Sequence, residues 1–192
     1  MSQEIARKMA KIKPQGEERW EDIFVSVPVS IEVGDYSGCK EWIENLHKDG
    51  VEDLEAYFKE NPKAVREGIT YMAEEFLLYN FEFLNMYESN SMDEFKKVTY
   101  RVDPRTDRSI YTDDFVGSFE QMFLAFDRGE TRIACFTDEA TVDKDKKFRP
   151  FRAEVCWQIV RGYEDTWERV VVSVIPVDRL NEAKRPDAVS ST

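Results

Sequence analysis

Positive charge, histidine and paired cysteine are all scarce in this chain. Its 192 residues carry 27 Lys and Arg against 39 Asp and Glu, a formal net charge of −12. Binding to phosphate backbones needs concentrated positive charge, so this balance excludes nucleic acid as a partner. It favours solubility and says little more. There is a single histidine, His47. A mononuclear metal site that needs two imidazoles is therefore excluded. The cysteines are three, Cys39, Cys135 and Cys156, with no CxxC spacing. An odd, scattered set reads as reduced thiols in a cytoplasmic protein. The first twenty residues lack the apolar stretch of a signal peptide. No run approaches the ~18 apolar residues of a membrane span. A Gly-rich phosphate loop, a Ser-nucleophile motif and an HExxH string are all missing.

Aromatic residues are plentiful: 13 Phe, 8 Tyr and 4 Trp, in a chain that is 42% apolar. That is enough to build one real core. Hydrophobic periodicity divides the chain as follows. Residues 2–13 present Ile5, Met9 and Ile12 at helical spacing, and Pro14-Gln15-Gly16 breaks the pattern. Residues 17–24 predict a short helix. Residues 26–33 are rich in β-branched side chains and predict a first strand. Helical faces follow at Cys39, Trp42, Ile43 and Leu46, then at Leu54, Tyr57 and Phe58, then at Val65, Ile69 and Met72. Residues 75–79 suggest a strand and Phe83, Leu84 and Tyr87 a short helix. Ser91-Met92-Asp93-Glu94 has capping-box spacing before Phe95. Residues 98–107 read as a loop. Residues 113–128 make a strong helix along Phe115, Phe119, Met122, Phe123 and Phe126, ended by Gly129. Strands over 132–137, 148–161 and 167–175 then predict an antiparallel meander, with a charged hairpin loop at 143–147. Strands with helices gathered on one face of a single sheet give the class α+β.

This order, with four local strings, resembles the PAS family of sensory domains over about residues 18–185. "ERWEDIFVSVPVSI" looks like the opening helix and first strand. "LLYNFEFLNMYESNSMDEF" is similar to the stretch where a strand ends on Asn, a short helix follows and a capped helix comes next. Asn80, Phe83, Leu84, Tyr87, Ser91 and Phe95 hold those places. "FEQMFLAFDRGETRI" looks like the long connecting helix, its Gly and the next strand. "GYEDTWERVVVSV" is similar to the last strand of PAS domains in bacterial sensor kinases. Residues 36–72 resemble a helical insertion found in a subset of those domains. The divisions expected are a helical extension over 1–16, a PAS-like domain over 17–180 and a flexible tail over 181–192. The family's usual Asp-Ile-Thr exit is replaced by Pro176-Val177-Asp178, and no transmitter histidine, cyclase string or helix-turn-helix follows.

The resemblance implies a pocket between sheet and helices for a small organic ligand or planar cofactor. Its candidate lining is Tyr79, Asn80, Phe83, Tyr87, Phe119 and Phe123. The identity of the cofactor stays open. A lone His47 at a helix end, where a solvated cation is favourable, argues against His-ligated haem. The Asn-Cys string that holds flavin covalently in light-sensing relatives is absent, which leaves non-covalent flavin open. Over 151–159 the alternate residues separate: Phe151, Ala153, Val155, Trp157 and Ile159 on one face, Arg152, Glu154, Cys156 and Gln158 on the other. Arg152 and Gln158 are the polar candidates for reaching a ligand, set against a plain water-facing role. The expected function is a stand-alone sensor, dimeric through its N-terminal helix, that binds a small molecule and signals through a partner protein. The alternatives are a small enzyme using acidic residues or Cys156 in a PAS-like cavity, and an adaptor with a filled core.

Overall fold

The computed structural model describes residues 24, 26–72, 76–87, 89–99, 103–108, 111–142 and 148–177. The expected N-terminal helices, the dimer seam, the charged hairpin loop and the tail lie outside the described residues. Among the described residues eleven elements follow in chain order. Strand β1 (Ser30–Gly34) leads into helices α1 (Ser37–Lys48), α2 (Leu54–Glu60) and α3 (Ala64–Ile69). Then come β2 (Phe76–Tyr79), α4 (Phe81–Met86), α5 (Met92–Thr99) and the long α6 (Asp113–Asp127). Strands β3 (Arg132–Val142), β4 (Phe148–Ile159) and β5 (Val170–Pro176) close the sequence of elements.

The strands form one antiparallel sheet in the order β2-β1-β5-β4-β3. The meander β3-β4-β5 is the one that the spacing predicts. The apolar run Val170–Ile175 becomes the central strand, paired with β1 on one side and β4 on the other. A central strand has the most neighbours to satisfy, which suits a run apolar on both faces. Strand β3 is longer than the 132–137 expected from sequence, because its pairing continues from Asp138 opposite Arg152 to Val142 opposite Phe148. Strand β5 starts later than expected. Trp167 stands at φ 55 in a turn instead of in the strand. Its ring packs edge-on to Phe126 at 5.2 Å, and its carbonyl accepts from Tyr36 N at 2.9 Å. Burial of a large ring and this hydrogen bond outweigh the cost of left-handed backbone.

One face of the sheet packs on the helices. Ala153, Val155, Trp157 and Ile159 of β4 and Val170, Val172 and Val174 of β5 are buried in one cluster with Trp42, Phe58, Phe119 and Phe123. Trp42 sits at the heart of the helical layer, 6.0 Å from Phe58, 6.1 Å from Tyr71 and 5.6 Å from Phe123 between ring centres. Two glycines make room for that layer. A Cβ on Gly68 would lie 2.5 Å from the Trp42 ring, and one on Gly38 would lie 2.3 Å from the Tyr71 carbonyl oxygen. Helix starts follow their capping signals: Asp53 accepts from Ala56 N at 2.9 Å, Ser91 from Glu94 N at 3.2 Å, and Thr112 from Phe115 N at 3.1 Å.

His47 stands exposed at the end of its helix, as expected, and its ring is hydrogen-bonded there. Its Nδ1 lies 2.6 Å from the Val51 carbonyl and its Nε2 2.8 Å from Asp127 Oδ1. Both ring nitrogens have acceptors, so the imidazolium ties the end of α1 to the end of α6. The Asp127 carboxylate, then the Val51 carbonyl, holds the His47 pKa above its ordinary value. Among the described residues no helix is long and apolar enough to cross a membrane.

Candidate functional site

The registers of the sheet decide which side chains look toward the helices. Val174 lies opposite Ser30 on β1 and Val155 on β4, and Val172 lies opposite Glu32 and Trp157. Thr137 lies opposite Ala153, and Glu139 opposite Phe151. Opposed residues share a face. The buried face therefore carries apolar side chains on the two central strands, and on the strands flanking them it adds polar ones, Ser30 and Glu32 on β1 and Thr137 and Glu139 on β3, beside Ile133 and Cys135. All four polar residues are buried.

Helix α4 and its surroundings cover this region. Phe83, Tyr87 and Phe95 form a three-way ring cluster with centres 4.9 to 5.0 Å apart. Tyr87 donates its hydroxyl to Glu139 Oε2 at 3.3 Å. Phe119 of α6 meets the Trp157 ring edge-on at 5.7 Å. Asn80 fixes α4 in place. Its Oδ1 accepts from Phe83 N and from Ile31 N, each at 3.0 Å, and its Nδ2 donates to the carbonyls of Val29 at 2.6 Å and Val27 at 3.2 Å. This fills the side chain's capacity, two bonds accepted and two donated. Asn80 is thus a staple between β1 and α4.

The electrostatics are unusual for a core. Burial holds the Glu139 carboxyl up at about 7, against the opposing effect of the Tyr87 hydrogen bond. Burial also lifts Glu32 well above the carboxylate range, and the charge of Glu139 adds to that. Tyr87 is pushed up by burial first and by both carboxylates next. Buried acids without a cation prefer to be neutral. Three further polar atoms here are buried with no hydrogen-bond partner: Ser30 Oγ, Thr137 Oγ1 and Trp157 Nε1. A stranded buried donor or acceptor costs about 1–3 kcal/mol, so each needs an explanation. Ser30 has one, since it borders a cavity of about 20 Å³ beside Pro28, Met86 and Val174, room for about one water. Trp157 Nε1 can only donate, and it faces the helices with nothing to receive its proton.

The eight residues singled out from sequence divide clearly. Phe83, Tyr87, Phe119 and Phe123 line the interior, and Tyr87 reaches the buried carboxylate. Asn80 is buried but saturated, and Tyr79 is partly exposed beside Phe83 at 6.3 Å. Arg152 and Gln158 must be removed from the interior set. Strand alternation puts both on the exposed side of β4, where Arg152 pairs with Asp138 at 3.0 Å and also with Asp114. The apolar face, not the polar one, meets the helices, because burying an arginine costs far more than burying a valine. Glu32, Thr137, Glu139 and Trp157 escaped the sequence reading as site residues. Strand β3 inverts the usual pattern: Phe136 is 54% exposed while its neighbour Thr137 is fully buried. The one sequence signal is that inversion, and it is readable only once the inward face is known.

Two rival sites are weaker. A shallow groove of about 380 Å³ runs between α2, α3 and α6. Its buried cation, Arg66, is already committed to the carbonyls of Pro104, Asp107 and Tyr111 and to Asp113. The thiols offer little as nucleophiles. Burial pushes Cys39 up to about 12 and Cys135 up to about 11. Cys135 lies opposite Val155 and Cys156 opposite Ala134, so the two occupy opposite faces of the sheet. No group of three His, Cys, Asp or Glu side chains among the described residues is arranged to hold a metal ion. No protein-family model matches the chain, and no curated protein matches it.

Proposed function

We propose that this chain is a PAS-like sensory module that binds a small molecule between the buried sheet face and helices α4 to α6. One observation carries the reading. Trp157 Nε1 and Thr137 Oγ1 are buried without partners on the same face as two buried carboxylates. Folding selects against such a group of orphaned atoms unless something else satisfies them. The element order supports the reading too: an opening strand, an inserted helical layer, a long helix over the sheet, and three closing strands. Ligand arrival would satisfy Trp157 and Thr137 and bias the packing of α4 on β1. Output would then pass to a partner protein or through a homodimer in the cytoplasm.

Native mass spectrometry with an absorption spectrum on freshly purified protein tests this first. A co-purifying mass that shields Trp157 fluorescence supports a ligand site. Apo protein whose crystal structure shows ordered waters on Trp157 Nε1 and Thr137 Oγ1 and no accessible space rejects it. A second reading rests on Glu139 alone. A carboxyl held at about 7 beside a tyrosine hydroxyl suits general acid–base work at neutral pH. Turnover of a bound ligand, lost in Glu139→Gln, would make the module an enzyme.

A further inference from the structure

The two edges of the sheet are guarded unequally. Strand β3 closes one side and carries Arg132 and Asp138, and charge on an edge strand discourages pairing with other chains. Strand β2 closes the other side. It reads Phe-Leu-Leu-Tyr, with no charge and no proline. Among the described residues six large apolar side chains are exposed, and four of them are Leu77, Leu78, Tyr79 and Phe81, from 37% to 59%. Leu78 shares a face with Val33 and Tyr79 shares the other with Glu32, so apolar surface is bare on both sides of this edge. Such an edge is a template for association unless a helix or loop covers it.

We infer that residues 2–13 of the same chain are that cover, an amphipathic helix laid along β2 with Ile5, Met9 and Ile12 against Leu77, Leu78 and Phe81. The path of the chain supports this. Asn80, the residue after β2, donates through Nδ2 to the carbonyls of Val27 at 3.2 Å and Val29 at 2.6 Å. The chain therefore enters the fold beside the bare edge, since Tyr79 and Phe81 are Asn80's own neighbours. About 14 residues separate Lys13 from Val27, a reach of up to ~46 Å. A 12-residue helix is about 18 Å long and a four-residue strand about 13 Å, so one covers the other. Charge supports it too. Residues 1–16 hold Arg7, Lys8, Lys11 and Lys13 against Glu4, a net +3. The whole chain is −12, which leaves −15 for the rest. A tethered basic segment is drawn to an acidic body, whereas a second copy would bring another −12 to the same edge.

An isolated helix this short is marginal in water, so slow amide exchange over residues 2–13 reports docking. Hydrogen exchange read by mass spectrometry on the full chain should show residues 2–13 and 76–81 both protected. Ile5→Ser, Met9→Ser and Ile12→Ser together should speed exchange over 76–81 by about ten-fold or more. Leu78→Ser with Phe81→Ser should do the same over 2–13, and β5 should stay protected in both variants. Sedimentation should show the triple variant self-associating more than wild type, because its edge is bare. Free exchange over 2–13 in wild type overturns the inference. Protection over 2–13 that falls when wild type is diluted from about 50 µM to about 1 µM also overturns it, by assigning the cover to a second copy. Protection over 76–81 that survives the triple variant overturns it in favour of another segment or a partner protein. A wild-type dimer that the triple variant converts to monomer overturns it by placing residues 2–13 between subunits.

Discussion

The central and flanking strands of one sheet face behave differently. On β4 and β5 the buried positions hold Ala153, Val155, Trp157, Ile159, Val170, Val172 and Val174, and every apolar atom finds an apolar neighbour. On β1 and β3 the buried positions include the polar Ser30, Glu32, Thr137 and Glu139 beside Val33. Both sets are removed from water to a similar degree. The first is satisfied by the protein except at Trp157 Nε1, and the second leaves Ser30 Oγ and Thr137 Oγ1 without partners. Burial by itself thus does not define a core; a core is burial plus complete partnership. The flanks carry a free-energy cost that an apolar set of the same volume would avoid, and this is the mark of a site.

The largest effect that would sharpen this contrast is expected on the satisfied side. Trp42→Ala removes a ring packed against three others and should destabilise by about 3–5 kcal/mol in urea unfolding. A loss under about 1 kcal/mol would mean that the helical layer is loose. Next comes the pH response of the flanks. Glu139 has a folded-state pKa raised to about 7 from its ordinary value of 4.5. The folded state therefore holds a proton that the unfolded chain has released. Its contribution is fully present below about 4.5 and is lost as pH rises to about 7, by up to about 3 kcal/mol. Glu32 shifts in the same direction, and Tyr87 stays protonated across this window. Stability of wild type measured at pH 5 and pH 8 should fall, and the fall should shrink in Glu139→Gln. An unchanged slope in the variant would assign the titration to another group.

A smaller effect of opposite sign is expected at Thr137. Thr137→Val keeps the shape and deletes an unpartnered hydroxyl, so it should stabilise the protein by about 0.5–2 kcal/mol. Destabilisation would show that the hydroxyl is satisfied, by water or ligand, in the protein as purified. The least effect belongs to His47. Its tie to Asp127 is partly exposed, so screening limits His47→Ala to under about 1 kcal/mol. Because the folded His47 pKa is raised, that contribution is present below the unfolded value near 6.5 and is lost as pH rises through the folded one. A thermal-shift difference between wild type and variant that is larger at pH 8 than at pH 6 would contradict this tie.

Much of the fold was readable from local pattern. The aromatic stripe of α6, the cap at Ser91 and the apolar run of β5 each announce themselves within a few residues, because propensity, capping and periodicity are short-range effects. Tyr87 and Phe83 were legible as interior residues for the same reason. The placement of Arg152 and Gln158 on the exposed side of β4 was not legible, since a polar stripe on a strand looks alike whether it faces inward or water. The partner of the solitary histidine was not legible, because Asp127 lies eighty residues away.

The sequence alone determined the class of the molecule: an acidic α+β chain in which Val170–Ile175 must be a buried strand and whose helices must cover one face. These follow from composition and from periods of two and 3.6 residues. Only the tertiary structure decided that Glu32 and Glu139, more than a hundred residues apart, are buried on one face within reach of each other's charge. Strand alternation specifies two faces but not which one is inside. That choice is made by the whole sheet at once, and here the apolar central strands carried the polar residues of their neighbours inward with them.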